Sequence, residues 1–157
     1  MNVIHALQPL PKSIFLAGPT PRDEDTPTWR PEALDILRDL GFAGTVYVPE
    51  NDTWSKHDRY DDQIVWEWEA LSVSSAIVFW VPRDLTPNDK GQQKMPAFTT
   101  NVEFGLYARS GKCLMGSPMG APKMDYLNAL ARECGIPIYT GLREVLEAAV
   151  ARTSLTP

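Results

Sequence analysis

Five short apolar runs punctuate the chain, at Ser13 to Ala17, Thr45 to Val48, Ala76 to Val81, Lys112 to Met115 and Pro137 to Tyr139, and a stretch of helical period follows each of them. A strand that must return parallel to its predecessor needs a crossover of a dozen or more residues, normally a helix. Five repeats of the pair therefore predict a parallel sheet covered by helices on both faces, the α/β three-layer class. The central run, Ala76 to Val81, is almost wholly apolar, as expected of a strand buried on both sides.

The helical stretches carry their own punctuation. Thr28 and Pro31 signal a start, Ala33, Leu34, Leu37 and Leu40 give one buried face, and Gly41 ends that helix. Asp61 or Asp62 is the expected cap of a second helix to about Ser72, with Ile64, Val65, Trp68 and Leu71 at helical spacing. Later helices are expected over Thr99 to Gly111, Met124 to Cys134 and, capped by Thr140, to about Arg152. Residues 13–152 read as one domain behind a flexible leader at 1–12. Pro82 to Phe98 reads as a long loop, with Thr86 to Lys94 a polar segment that offers nothing to a core.

Composition narrows the partners. A net charge of −5 with no dense basic cluster argues against a nucleic-acid polymer or a membrane surface. No apolar run approaches membrane-spanning length and no signal-peptide pattern opens the chain, so a cytoplasmic location is expected. Cys113 and Cys134 form neither a disulfide framework nor a metal motif, and His5 and His57 stand alone. Neither a metal nor an organic cofactor is indicated.

In this topology the loops after the first four strands meet at one edge of the sheet, where ligands bind in open α/β folds. They bring Arg22, Trp29, Arg30, Glu50, Trp54, Arg83, Asp84, Thr99, Thr100 and Asn101 close to Glu103, in the first turn expected of the third helix. Glu103 has a plain structural reading too: Thr100-Asn101-Val102-Glu103 matches a capping box, in which hydroxyl and carboxylate each satisfy an orphan amide. Gly18 lets a ligand approach the backbone or simply makes a tight turn. Trp29, Trp54 and Trp66 are candidates to stack on a planar base, whereas Trp68 and Trp80 read as core.

Several of these segments together are similar to the nucleoside 2-deoxyribosyltransferase-like family. They are Ile14 to Arg22, Trp29 to Ala33, Val48-Pro49-Glu50, Trp66-Glu67, Phe79 to Asp84 and Phe98 to Gly105, and the likeness runs on through Gly116 to Lys123 to about residue 150. The resemblance implies a flavodoxin-like five-stranded sheet of order 2-1-3-4-5 and a glutamate nucleophile, matched by Glu103. It would attack C1′ of a 2′-deoxyribosyl group, displace the base, and pass the sugar to a second base with retention. Among substrate-binding candidates, Gly18 and Arg22 are placed on the 5′ side and Thr100 and Asn101 near the sugar or the carboxylate. Glu50, Glu67 and Asp84 are candidates to protonate or hydrogen-bond the base, and Trp29 is the candidate stacking face. Some relatives carry an acid just before the third strand, where this chain has Ser75. By the same resemblance the substrate is a small molecule and the chain a homo-oligomer. Two alternatives stay open: an N-glycoside hydrolase using the same glutamate with water, and a non-catalytic nucleotide-binding module.

Overall fold

The computed structural model describes residues 12–50 and 60–155. The leader expected at 1–12 falls outside them except for Lys12, as do Trp54 and His57. The main sheet has five parallel strands: β1 (Ser13–Ala17), β2 (Thr45–Tyr47), β3 (Ala76–Trp80), β6 (Cys113–Gly116) and β7 (Ile138–Tyr139). Their order is β2-β1-β3-β6-β7, with Ile14 beside both Val46 and Ala76, Val78 beside Leu114, and Met115 beside Ile138. Counting only these strands, the order is the expected 2-1-3-4-5. All residues of β1, β3 and β6 are buried, since crossover helices close over both faces.

Alternate side chains of each strand feed the two cores. On one face Ile14, Leu16, Val78 and Leu114 pack with α1 (Arg30–Asp39) and α5 (Leu142–Leu155) through Ala33, Leu37, Val145 and Leu146. On the other, Phe15, Ile77, Phe79 and Met115 pack under α2 (Tyr60–Val73), α3 (Phe98–Tyr107) and α4 (Asp125–Glu133) through Leu71, Phe104 and Leu127. Gly41, with φ +67, ends α1 in the left-handed conformation expected of it.

Two expectations change. The stretch after β3 is a β-hairpin, β4 (Asp84–Pro87) against β5 (Gln93–Met95), rather than an unstructured loop. Its tip is tied by the Asn88 side chain, whose Oδ1 accepts from the amides of Lys90 and Gln92, and by Gly91 at φ +72. The strands are poor in β-branched residues, and the Asn88-to-Gly91 turn was the one legible signal. Trp68, expected in the core, is 59% exposed on α2, as is Val65 at 51%, whereas Ala70 and Leu71 take the inward face. Trp80 is buried as expected.

Candidate active site

α3 begins at Phe98, with Ala97 at its N-cap and no side-chain hydrogen bond to the first turn. Glu103 is therefore in the second turn, not at the third position where a capping box would use it. The box read from Thr100 to Glu103 does not form, because the helix starts earlier than the Thr99 signal indicated. Thr100 is buried on the core-facing stripe with Phe104 and Ala108, which removes it from the ligand side.

Glu103 is half-buried, and its pKa is pushed up from 4.5 to about 7. Burial is the largest cause, the negative charge of Glu67 adds to it, and the positive charge of Arg30 opposes both. Glu67, half-buried on α2, is also raised by burial, with Arg30 and a 2.9 Å hydrogen bond from Gln63 Nε2 acting the other way. Two carboxyls and one guanidinium thus share a corner formed by α1, α2 and α3. The charge on Glu67 opposes the ionisation of Glu103, so Glu103 is the member that holds its proton to higher pH.

Arg30 is the part that motif reading placed least well. It is 1% exposed, and each nitrogen of its guanidinium has a partner: Nε donates to Leu16 O at 3.2 Å, Nη2 to Gly18 O at 2.8 Å and Nη1 to Thr20 Oγ1 at 3.1 Å. Nη1 also pairs with Glu50, whose two carboxylate oxygens each lie 2.9 Å from Thr28 Oγ1. Arg30 is therefore committed to the β1–α1 loop, and Glu50 is the counter-ion of this buried cation. The sequence did carry a signal. A cation in the first turn of a helix opposes the macrodipole and calls for another reason to be there.

Gly18 and Trp29 are similarly committed. A Cβ on Gly18 would lie 2.1 Å from Trp80 O and 2.8 Å from the Trp29 ring. Its smallness thus serves the chain's own close packing. Trp29 is 7% exposed, donates Nε1–H to Pro19 O at 3.2 Å, and has the Arg30 guanidinium 4.9 Å from its ring centroid. It walls the corner and leaves no open face for a base. Trp66 is 41% exposed, with the Tyr47 ring edge-on at 6.2 Å and the Phe15 ring tilted against it at 6.4 Å. Gly18→Ala is expected to cost at least about 2 kcal/mol, since the colliding carbonyl is backbone and cannot swing aside; urea unfolding measures it.

The remaining candidates lie elsewhere. Asp84 Oδ1 accepts from the amide and hydroxyl of Thr86 at 2.8 and 2.6 Å, which holds its pKa below the ordinary value and makes it a poor acid. Arg22 is exposed, with its amide bonded to Lys94 O at 3.0 Å and its guanidinium 5.5 Å from the Phe98 ring centroid. Together with Asn88 Nδ2 to Asp23 Oδ2 at 3.0 Å, this stitches the hairpin to the β1–α1 loop. Asn101, two residues before Glu103, projects from the opposite flank of α3, about 200° around the helix, and its Oδ1 is taken by Arg83 Nη2. Ser75 bonds with Ser13 at the amino edge of the sheet, a strand length of about 16 Å from the site. The missing acid at that position is therefore of no consequence to this corner.

Among the described residues no group of three or more His, Cys, Asp or Glu side chains is arranged to hold a metal ion, and no helix is long and apolar enough to cross a membrane. A family model described as nucleoside 2-deoxyribosyltransferase like matches residues 11–121, a stretch that runs from before β1 to the loop after β6 and includes Arg30, Glu50, Glu67 and Glu103. A comparison with curated proteins returns no match.

Proposed function

Because the chain belongs to the nucleoside 2-deoxyribosyltransferase-like family, we propose that it exchanges the base of 2′-deoxynucleosides, with Glu103 as nucleophile. The observation that carries this reading is the half-buried Glu103 carboxyl, free of any capping duty, sharing its corner with Glu67 and Arg30. A Glu103 oxygen bonds to C1′ as the glycosidic C–N bond breaks. The bonding pair goes to the base nitrogen, which takes a proton from Glu67. An acceptor base then attacks C1′ from the freed side, gives its N–H proton back to Glu67, and releases Glu103. Two displacements at one carbon return the original configuration.

The chemistry needs Glu103 ionised and Glu67 protonated at the same time, so turnover draws on the minor arrangement in which the proton of the pair sits on Glu67. Arg30 opposes the rise in both pKa values, so it favours the ionised member. Trp66, next to Glu67 in α2 and 41% exposed, is the aromatic residue we assign to stack on the base. We propose further that the chain works as a homo-oligomer. The stripe of Phe98, Val102 and Leu106 on the helix that carries Glu103 is exposed at 60%, 62% and 70% and would be covered in such an assembly.

The test is chromatographic. Purified protein is incubated with deoxynucleosides, ribonucleosides and their monophosphates, each with and without a free acceptor base. A new nucleoside formed only when acceptor is present supports transfer; free base released regardless of acceptor identifies a hydrolase instead. The value of kcat/KM is expected to rise with pH as Glu103 ionises, to peak near 7 and to fall once the carboxyl pair has lost its last proton, since Glu103 attacks only when ionised and Glu67 donates only when protonated. A profile flat from pH 5 to 8 would be incompatible with Glu103 as nucleophile.

A further inference from the structure

Two non-glycine residues among those described adopt positive φ: Ala97 at 62°, the uncapped start of α3, and Lys123 at 56° in the loop between β6 and α4. Such positions cost about 1 kcal/mol or more each, and they persist only where the surroundings hold them. One side chain reaches both stretches. Arg83, just after β3, donates from Nη1 to Lys123 O at 2.6 Å and from Nη2 to Asn101 Oδ1 in the first turn of α3.

Arg83 is an unusual choice for a merely structural strut. It is 7% exposed, pairs with no carboxylate among the described residues, and its buried Nε has no partner. Burial holds its pKa below the ordinary value. A buried cation with one idle N–H is costly, and an apolar side chain would fill the same space with less penalty. What an apolar residue or a lysine lacks is the planar fork, which holds two acceptors in one fixed geometry. The fork also settles the Asn101 amide: a guanidinium only donates, so Oδ1 must face it.

We infer that Arg83 is a positioning residue for the site. It clamps the uncapped first turn of α3 to the β6–α4 loop and so fixes where the next turn presents Glu103 to Glu67 and Arg30. This inference rests on Glu103 being the nucleophile. Arg83 acts through the helix and not by contact, because Asn101 and Glu103 leave α3 on opposite flanks.

The experiment is a carboxyl-carbon NMR titration of Glu103 in the full chain, with kcat and KM measured alongside on a deoxynucleoside and acceptor base. The variants are Arg83→Met, Arg83→Lys, and Arg83→Lys combined with Asn101→Asp. The Glu103 titration reports its surroundings, chiefly Glu67 on α2 and Arg30 on α1. In Arg83→Met its midpoint is expected to move by at least about half a pH unit. Its kcat should fall about tenfold or more while KM stays within about twofold. Arg83→Lys should shift both the same way, and adding Asn101→Asp should recover most of each loss through a direct ion pair.

A folded Arg83→Met protein with unchanged Glu103 midpoint and kcat overturns the inference. If Arg83→Met does not fold, the lysine pair decides, and failure of Asn101→Asp to recover the midpoint overturns it equally. If no deoxynucleoside is turned over, the proposed function fails while the NMR midpoints still test the clamp.

Discussion

Glu103→Gln is expected to lower turnover by at least about 10³-fold, the scale seen when a covalent nucleophile is removed, and at the same time to make the folded protein more stable at pH 8. The two effects have one cause. Burial and the Glu67 charge lift the Glu103 pKa from 4.5 to about 7, so the folded chain holds a proton that the unfolded chain has released between those values. When the native state binds more protons, stability falls as pH rises. The sign is opposite to that of an acid whose folded pKa is depressed. The Glu103 contribution is therefore harmless below about pH 4.5, grows through about 7, and reaches at most about 3 kcal/mol of destabilisation above it. Glutamine carries no charge and escapes that cost. Thermal melts at pH 5 and pH 8 should nearly coincide for the variant's gain at the lower pH and separate by several degrees at the higher. A capping glutamate would behave in the opposite way, losing about 1 kcal/mol on substitution at neutral pH with no effect on turnover.

Arg30→Met should have the largest effect on stability of any single change at the site, on the order of 3–5 kcal/mol. The loss is not that of one ion pair. The carbonyls of Leu16 and Gly18 and the Thr20 hydroxyl lose their donor together, and Glu50 is left a half-buried anion whose remaining hydrogen-bond partner among the described residues is Thr28. Adding Glu50→Gln to Arg30→Met should return part of the stability, because the stranded charge is then gone. Urea midpoints of the four proteins in this cycle check the prediction. If the double variant is no more stable than Arg30→Met, the damage lies in the β1–α1 loop and not in the unpaired carboxylate. Turnover should fall in both variants, since Arg30 is the cation that opposes the rise in the Glu103 and Glu67 pKa values.

The layered class was legible because it depends on periodicity. Apolar runs such as Ala76 to Val81 suit strands covered on both faces of a parallel sheet, and the helical stretches between them supply its crossovers, while the order of the strands was implied only by the family resemblance. Glu103 was legible as a candidate from its place after a strand and loop, and its block of neighbours matched a family. The division of labour around it was not. Glu50 was a substrate-binding candidate, Gly18 either a ligand approach or a tight turn, and Arg30 only a neighbour of the corner, whereas the fold commits Arg30 to loop carbonyls, Glu50 to Arg30 and Gly18 to close packing. Asn101 and Glu103, neighbours in sequence, point to opposite flanks once the helix starts at Phe98. Trp68 lies on the solvent side of α2 while Ala70 and Leu71 face the core, because helix rotation is set by how α2 packs on the sheet. Local pattern determines where elements form and which end of a sheet collects the loops. Burial, charge balance and hydrogen-bond partners arise between residues far apart in the chain, so the raised pKa of Glu103 and the roles of Arg30 and Arg83 exist only in the folded arrangement.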